Sequence, residues 1–438
     1  MSPKNFYTFF ILSIIGCITM PGVLFGPAMV GILIDHGDFS EEFAGWVMAF
    51  GSAGSALTLI LISGYIHQIN LKKLSYVCLS IAVVIDLYCS FIVEPNFNFL
   101  ILRFLIGVFV TIANIAVYTS IASFDNYERG YGLFVMMQYS ISGIGLYYLI
   151  LYSDLLGASG LYLALALLNF IALLLISQLP DLDKKTNKDN DQKSELKVLF
   201  SLVALMAIIG FGLHEMAGVT QFTYIERVGV NIGIESQSLG NIMLIASLVG
   251  IPGSMLCILL GNRYGLMTPL LFGISCCVFG MSILLLEKTY MTYFLRMCLI
   301  GFGWSIALPY IQSLLASIDK KGSALAAGNS FATIGGAAGA ALGASLIGQT
   351  SNYNMLLQVS LMIYIFAVVL ILFSVKNRRH NQCFRKIPEN TDSTCLANGL
   401  ITKLAGWPGQ PEFIYGQILM RLKKPMLMWL MQSQNLNP

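Results

Sequence analysis

Charge is scarce in this sequence. Asp, Glu, Lys and Arg account for 11% of the 438 residues, whereas hydrophobic residues account for 56%. A soluble globular domain carries about 25% charged residues, so the composition excludes a soluble protein. The net charge of +3 is not gathered into a basic patch on a soluble domain, and nucleic acid is therefore not an expected partner.

Motifs for catalysis are also lacking. There is no phosphate-binding glycine loop with a lysine, so ATP hydrolysis is not indicated. The nine cysteines have no metal-ligand spacing, and Cys276 and Cys277 are adjacent within an apolar run. We interpret the cysteines as small apolar residues. The sequence thus predicts no enzyme, no cofactor and no metal site.

Long apolar runs dominate the chain instead. Crossing the hydrocarbon layer of about 30 Å takes about 20 apolar residues per helix. Continuous runs of that length favour helices, because an outer-membrane barrel would show short alternating strands. The sequence predicts an all-α integral membrane protein with twelve transmembrane helices, at 7–33, 44–66, 74–94, 97–121, 130–152, 159–179, 198–226, 237–260, 267–286, 290–316, 323–349 and 354–375.

The charges between these runs predict the orientation. Among the Lys and Arg residues, only Arg227 and Lys288 fall in predicted outer loops, and the first outer loop is acidic from Asp35 to Glu42. This positive-inside distribution predicts a multi-pass protein of the cell membrane with both termini in the cytoplasm.

The chain reads as two like halves. The segment from Leu105 to Asp125 shares residues with the segment from Leu299 to Asp319, including Leu-Ile-Gly and Ala-Ser. We predict an N-terminal six-helix bundle at 1–180, a charged cytoplasmic linker at 181–197 that cannot bury a core, and a C-terminal six-helix bundle at 198–378. The tail, 379–438, is either disordered or a short helix on the inner membrane surface.

Twelve spans in two halves with a charged linker resemble the major facilitator superfamily (MFS), and the resemblance covers residues 1–378. The family carries a G-x-x-x-D-R-x-G-R-K signature after helix two, which corresponds here to Gly64–Lys73. Gln68 replaces the Asp and Leu71 replaces the Gly, while Lys72 and Lys73 keep the basic residues. In the family this loop latches the two halves together.

Two more motifs support the resemblance. A second copy of the signature, after helix eight, keeps Arg263 but has Asn262 in place of the Asp. Arg103 and Gly107 match the family's helix-four pattern. The resemblance implies a gating or conformational role for Arg103, Gln68, Lys72, Lys73, Asn262 and Arg263. It also implies that helices one, four, seven and ten line a central cavity.

The strongest candidate for chemistry is the pair His214-Glu215 in span seven. An ionisable group inside a membrane costs roughly 2.5–3.5 kcal/mol on insertion scales, so its presence needs a reason. A carboxyl group in an apolar cavity can take up and release a proton near neutral pH, and a histidine titrates in the same range. We predict a proton-coupling site at Glu215, assisted by His214; the alternative is a structural pair bonded to another helix.

Polar and aromatic side chains in the spans are candidate ligands for a solute. They can also serve as plain interhelical contacts, and both interpretations stay open. The candidates are Asn114 and Tyr118 in span four, Gln221 and Tyr224 in span seven, Trp304 and Gln312 in span ten, and Asn329 in span eleven. Asp86 in span three is expected to have a structural role.

These features predict a secondary active transporter that moves a small organic solute by alternating access, with protons as the coupling ion and the lipid bilayer as its surroundings. A monomer suffices for this mechanism. One alternative is efflux of hydrophobic compounds by antiport. The proline-free segment Tyr139–Gly145 argues against it, because drug antiporters of the family carry a G-P motif there. A second alternative is a non-transporting receptor on a transporter fold, with the tail as its partner surface.

Overall fold

The computed structural model describes residues 3–63, 69–124, 127–180, 199–260, 265–318, 323–350 and 352–385. The predicted linker, 181–197, and the tail beyond 385 lie outside the described residues. The chain groups into one compact unit, Met1–Arg378, and a second unit, Arg379–Pro438. The last helix continues to Arg385, past the predicted boundary at 378.

The described residues contain twelve helical segments that are long and apolar enough to cross a membrane, as the sequence predicts. The helices are α1 Pro3–Ile18, α2 Pro21–His36, α3 Glu41–Ser63, α4 Leu71–Phe91, α5 Phe97–Ala122, α6 Tyr127–Leu151, α7 Ser153–Leu175, α8 Leu202–Ile232, α9 Ser236–Leu260, α10 Met267–Leu286, α11 Tyr290–Ala316, α12 Ser323–Thr350 and α13 Tyr353–Arg385. A 3-10 turn, Ile176–Gln178, follows α7.

Local sequence explains where several helices begin and end. The side chains of Asn70, Asn96 and Ser201 each accept a hydrogen bond from a backbone N–H in the first turn of α4, α5 and α8, as N-cap residues do. Gly233 ends α8 in the left-handed conformation, with φ of 89°, which glycine adopts without steric cost.

The first predicted span, 7–33, is two helices with a break between them. Proline fixes its own φ and has no N–H, so it is favoured at the first position of a helix and not inside one. Pro21 starts α2 for this reason. The Thr19 hydroxyl donates to the carbonyl oxygens of Ile15 and Gly16 at 2.9 and 3.1 Å, which caps the end of α1.

Span seven is longer than predicted. The sequence predicts its end at 226, but α8 continues to Ile232, since Gly233 is the first residue that stops it. Glu226 and Arg227 therefore lie inside a helix and are 4% and 7% exposed, and the prediction that Arg227 sits in an outer loop is wrong.

Successive spans cross in opposite directions, which defines two sides. The distal side holds the C-terminal ends of α2, α4, α6, α8, α10 and α12. The proximal side holds the C-terminal ends of α3, α5, α7, α9, α11 and α13. The predicted orientation makes the distal side the outer one.

Backbones approach closely within each half. A Cβ on Gly107 of α5 would overlap the Gly51 carbonyl of α3, and a Cβ on Gly335 of α12 would overlap the Gly212 carbonyl of α8. Glycines at these two crossings let helices approach without a side chain between them.

Candidate functional site

The two halves meet on the distal side. Helix α3 packs on α12, α6 on α9, and α2 on α8. Within the first span the contacts change at the break, because α1 packs on α5, α6 and α7 of its own half, whereas α2 reaches α8 of the other half. The distal half of the first span thus joins the bundles, whereas its proximal half packs within its own half.

An ion cluster holds this distal contact. The two NH groups of Arg227 donate to the two carboxylate oxygens of Asp35, both at 2.7 Å, and so join α8 to α2. Arg227 also donates to Glu226 at 2.6 and 2.8 Å. Bidentate pairing of this kind is strong and directional. Gly31 of α2 has no side chain, and the Glu226 carboxylate occupies the space that a Cβ at this position would fill.

Two tyrosines of the C-terminal half converge on Glu41 at the start of α3. The Tyr353 hydroxyl donates to the Glu41 carboxylate at 2.7 Å, and the Tyr224 hydroxyl donates to the Glu41 carbonyl at 2.9 Å. Tyr224, a candidate solute ligand in the sequence, is here part of the distal closure. We call the contacts made by Asp35, Arg227, Glu41, Tyr224 and Tyr353 the distal latch.

Glu215 lies near the middle of α8 and is half-buried. Two faces of α8 flank Glu215. Gly212 and Met216 on one face contact α12, while His214 and Gln221 on the other contact α11 and α13. Glu215 lies between these two faces of α8. Among the described residues no basic side chain forms an ion pair with it.

His214 belongs to an aromatic cluster beside Glu215. Its ring is fully buried, stacks on Trp304 with 3.9 Å between centroids, and lies 5.2 Å from Tyr364. Neither ring nitrogen has a hydrogen-bond partner among the described residues. The sequence predicts that His214 assists Glu215, but the structure places its imidazole among aromatic rings and gives it no bond to the carboxyl group.

Gly218 makes room for Trp304, since a Cβ there would overlap the indole ring. Trp304 is half-buried, with one face covered by His214. An indole held this way offers a flat surface to a ring or a cation.

We expect Gly218→Ala to displace Trp304 and to lower the unfolding free energy by about 1–3 kcal/mol, as overpacking usually does. Thermal unfolding of the purified protein measures this. The control is Gly160→Ala, where a Cβ would meet nothing nearer than 3.4 Å and the better helix former should leave stability equal or higher. Equal melting temperatures for the two variants would show that the indole is not held by Gly218.

Arg103 is buried inside the N-terminal half. Its guanidinium forms an ion pair with Asp86 of α4 and lies 4.9 Å from the Tyr162 ring centroid. Asn169 of α7 donates to the other Asp86 oxygen at 2.7 Å. This closed network agrees with the structural role expected for Asp86. Among the described residues, the gating role predicted for Arg103 has no contact with the other half to support it.

Arg296 occupies a similar depth in the C-terminal half but has no carboxylate partner among the described residues. It donates to the Gln221 amide oxygen at 2.6 Å, and Gln221 in turn donates to Ser360 at 2.6 Å. The Arg296 Nε has no partner in the described part of the chain. Gln221, predicted as a solute ligand, is thus bonded at both ends of its amide.

The remaining candidates lie elsewhere. Asn114 donates to the Gly16 carbonyl at 3.0 Å and to Thr19 at 3.3 Å, so it bridges span four to the break in span one. Gln312 donates weakly to Asn329 at 3.4 Å near the proximal side. Tyr118 stacks on Tyr131.

The loop residues predicted to form a latch are described only in part. Lys72 donates to the Leu179 carbonyl at 2.8 Å, at the end of the sixth span of its own half. Lys73 lies in the first turn of α4, and its backbone N–H donates to the Asn70 side chain at 3.0 Å. Gln68, Asn262 and Arg263 lie outside the described residues.

Two features were missed by the sequence analysis. Asp35 was noted only as part of an acidic loop, and the extension of the apolar pattern through Val228 and Val230 could have shown that Arg227 is inside a helix. Tyr139 was noted only for a missing motif, although a tyrosine in the middle of a span is a polar group that needs a partner.

Twelve helices able to cross a membrane, arranged in two halves, and a carboxyl group without an ion-pair partner among the described residues are the features of a membrane transporter. The sequence model of the Major Facilitator Superfamily matches residues 10–340, and the chain belongs to this family. It is similar in structure to a mutant of the nucleoside transporter NupG, with a TM-score of 0.60 and 15% identity over 84% of this chain and 98% of that one. No curated protein matches the chain in sequence.

Proposed function

We propose that the protein carries a small organic solute across the cell membrane by alternating access and couples this movement to protons through Glu215. The observation that carries the proposal is the contrast between Glu215, near the middle of α8, and Asp86, in the distal part of α4. Asp86 is neutralised by Arg103, whereas Glu215 is half-buried and has no ion pair among the described residues. A carboxyl group so placed is costly to keep charged, which suits reversible protonation.

The charges around the centre favour a neutral or cationic solute. Arg103 and Arg296 are 5% and 3% exposed, so both guanidinium groups are directed into their own halves. Glu215 and the Trp304 indole remain as the polar and aromatic surfaces, and together they suit a cation or a flat ring. NupG is a nucleoside transporter, and nucleosides belong among the hydrophilic solutes to be tested.

The contacts between the halves described above lie at the distal ends and near the middle of the spans. With the predicted orientation, the state seen here is closed to the outside. Asn114, Gln221 and Tyr224 are buried and bonded to other helices, so the half-buried Trp304, Gln312 and Asn329 are the better solute candidates.

Glu215→Gln tests the proposed function. In proteoliposomes, we expect this variant to lose proton-driven accumulation, because the amide cannot carry the proton, while exchange of labelled for unlabelled solute continues. The matched control is Glu235→Gln on an exposed distal connection, which should accumulate solute as the unmodified protein does. Undiminished accumulation by Glu215→Gln would overturn the coupling role.

The melting temperature of the purified protein, measured in the presence of each compound of two ligand panels, identifies the solute. A ligand that binds only the folded state raises its apparent stability by mass action. One panel holds sugars, amino acids, organic acids and nucleosides, and the other holds lipophilic cations and antibiotics. Stabilisation by one hydrophilic class supports the proposal. Stabilisation by several unrelated lipophilic compounds would instead support efflux by antiport, with Glu215 as the exchanged site.

A further inference from the structure

His214 and Tyr364 carry three buried polar atoms that have no hydrogen-bond partner in the part of the chain that the structure describes: both ring nitrogens of His214 and the Tyr364 hydroxyl. Both side chains are fully buried, and their ring centroids lie 5.2 Å apart. Tyr293, another fully buried tyrosine of this half, donates to the Ile225 carbonyl at 2.9 Å. A buried polar group without such a partner costs free energy that an apolar ring of the same shape avoids. Two unbonded polar rings side by side therefore point to a partner from outside the chain.

The Trp304 indole covers this pair. It stacks on the His214 imidazole with 3.9 Å between centroids and 25° between planes, and its ring lies 6.4 Å from that of Tyr364. Unlike those two side chains, Trp304 is only half-buried. The indole rests on Gly218, and at about 100° per residue Gly218 lies between His214 and Glu215 around α8. An indole that turned aside would therefore open His214 toward the side of α8 that carries Glu215.

We propose that His214 and Tyr364 are the hydrogen-bonding end of the solute site, and that the Trp304 indole covers them until a planar, uncharged heterocycle takes its place. This inference rests on the proposed transport of an organic solute and names its class. It does not depend on coupling to protons.

The chemistry of the pair selects this class of solute. A neutral imidazole offers one donor and one acceptor, and a tyrosine hydroxyl can donate and accept. A ring that carries an N–H beside a carbonyl or a ring nitrogen can thus bond to both side chains. The place that a stacked indole fills also suits a flat ring. The neighbouring rings of Phe211 and Trp304 carry no charge, and a charged ring would lose its hydration there without a counter-charge.

Phenylalanine variants separate this role from packing. His214→Phe and Tyr364→Phe each keep a buried ring and remove unbonded polar atoms, so each should melt at the temperature of the unmodified protein or higher. The probes are uracil, uridine, adenosine and nicotinamide, with glucose as a non-planar comparison. We expect at least one heterocycle to stabilise the unmodified protein. Its Kd, measured by calorimetry, should rise about tenfold in each variant, because a hydrogen bond in a buried site is lost.

Tyr293→Phe is the matched control, since the Tyr293 hydroxyl is bonded within the chain. This variant should show the opposite pattern, with a lower melting temperature and an unchanged Kd for the heterocycle.

A second measurement tests the cover. Diethyl pyrocarbonate modifies accessible neutral histidines, and mass spectrometry identifies each modified site. His214 should be unreactive in the unmodified protein. In Trp304→Ala it should react on the time scale of His36, which is partly exposed on the distal side, and the heterocycle should slow the reaction of His214 alone. An unreactive His214 in Trp304→Ala, or one that the heterocycle does not protect, would contradict the role of the indole as a cover.

The other outcomes are distinct. The inference is overturned if none of the four heterocycles stabilises the unmodified protein, or if the Kd is the same in Tyr364→Phe, which removes a single oxygen atom, as in the unmodified protein. Lower melting temperatures of both phenylalanine variants would also overturn it, because the polar atoms would then be bonded within the chain. The proposed function survives each of these results if another compound of the two panels is bound and accumulated in proteoliposomes. It fails as well if no compound is bound or transported.

Discussion

Asp86→Ala is expected to lower the free energy of unfolding by about 3–5 kcal/mol, the usual effect of removing one partner of a buried ion pair. Asp86 is 1% exposed and Arg103 is 5% exposed, so the remaining guanidinium has no water to replace the lost carboxylate. Asn169 would lose its acceptor on Asp86 at the same time. Reversible unfolding in detergent, followed by circular dichroism, measures the change.

The control is a double variant. Replacing both charges with apolar residues of similar size, as Asp86→Leu with Arg103→Met, should recover much of the lost stability, because a buried pair contributes little beyond a well-packed apolar contact. Glu94→Ala on the surface should change stability by less than about 0.5 kcal/mol. An Asp86→Ala protein as stable as Glu94→Ala would mean that Arg103 reaches water or another acid.

The spans could be predicted because length and hydropathy determine them. Each helix that crosses the membrane must form its backbone hydrogen bonds internally and be about 20 residues long. Such a helix is therefore directly visible in the sequence as a long apolar run. The end of span seven was misplaced because Glu226 and Arg227 interrupt the apolar pattern. The sequence does not show that Asp35, distant along the chain, accepts the Arg227 charge.

The hydrogen-bond partners of polar residues were harder to predict than the positions of the spans. A polar residue in the middle of a span needs a hydrogen bond, but the periodicity of one helix does not identify which neighbour supplies it. Asn114 illustrates this, since its amide reaches the Gly16 carbonyl. Pro21 marks the break in the first span, yet only the packed structure shows which side chain of another helix meets it.

The contact between Tyr139 and Gly250 was hidden for a different reason. The sequence contains 41 glycines, and in membrane helices most of them serve close packing. Gly250 has the Tyr139 ring of the other half on it, as Gly240 has that of Tyr147. Such a contact belongs to one state of a moving interface, and a sequence pattern does not specify a state.

Breaking the distal latch is expected to shift the protein toward the distal-open state by about tenfold. Asp35 and Arg227 make two parallel hydrogen bonds at 2.7 Å between the halves, and losing one partner of such a pair can cost 2 kcal/mol or more. Because the Asp35 side chain is 47% exposed, water offsets part of the loss. We therefore expect about 1–2 kcal/mol for Asp35→Asn, and a tenfold shift corresponds to about 1.4 kcal/mol.

Spin labels on Glu94→Cys and Glu287→Cys, two exposed distal positions in the two halves, measure this shift in a background without the native cysteines. The measurement is made at a fixed pH in a double-mutant cycle of Asp35→Asn, Arg227→Gln and both together. Arg227→Gln should have the larger effect, since it also leaves Glu226 buried without its partner. The double variant should resemble Arg227→Gln alone, because the two side chains act through one contact. Asp38→Asn, on the same connection and exposed, should leave the distances unchanged. Additive effects of Asp35→Asn and Arg227→Gln would mean that the pair does not hold the distal side closed, and closure would then depend on the two tyrosines that meet at Glu41.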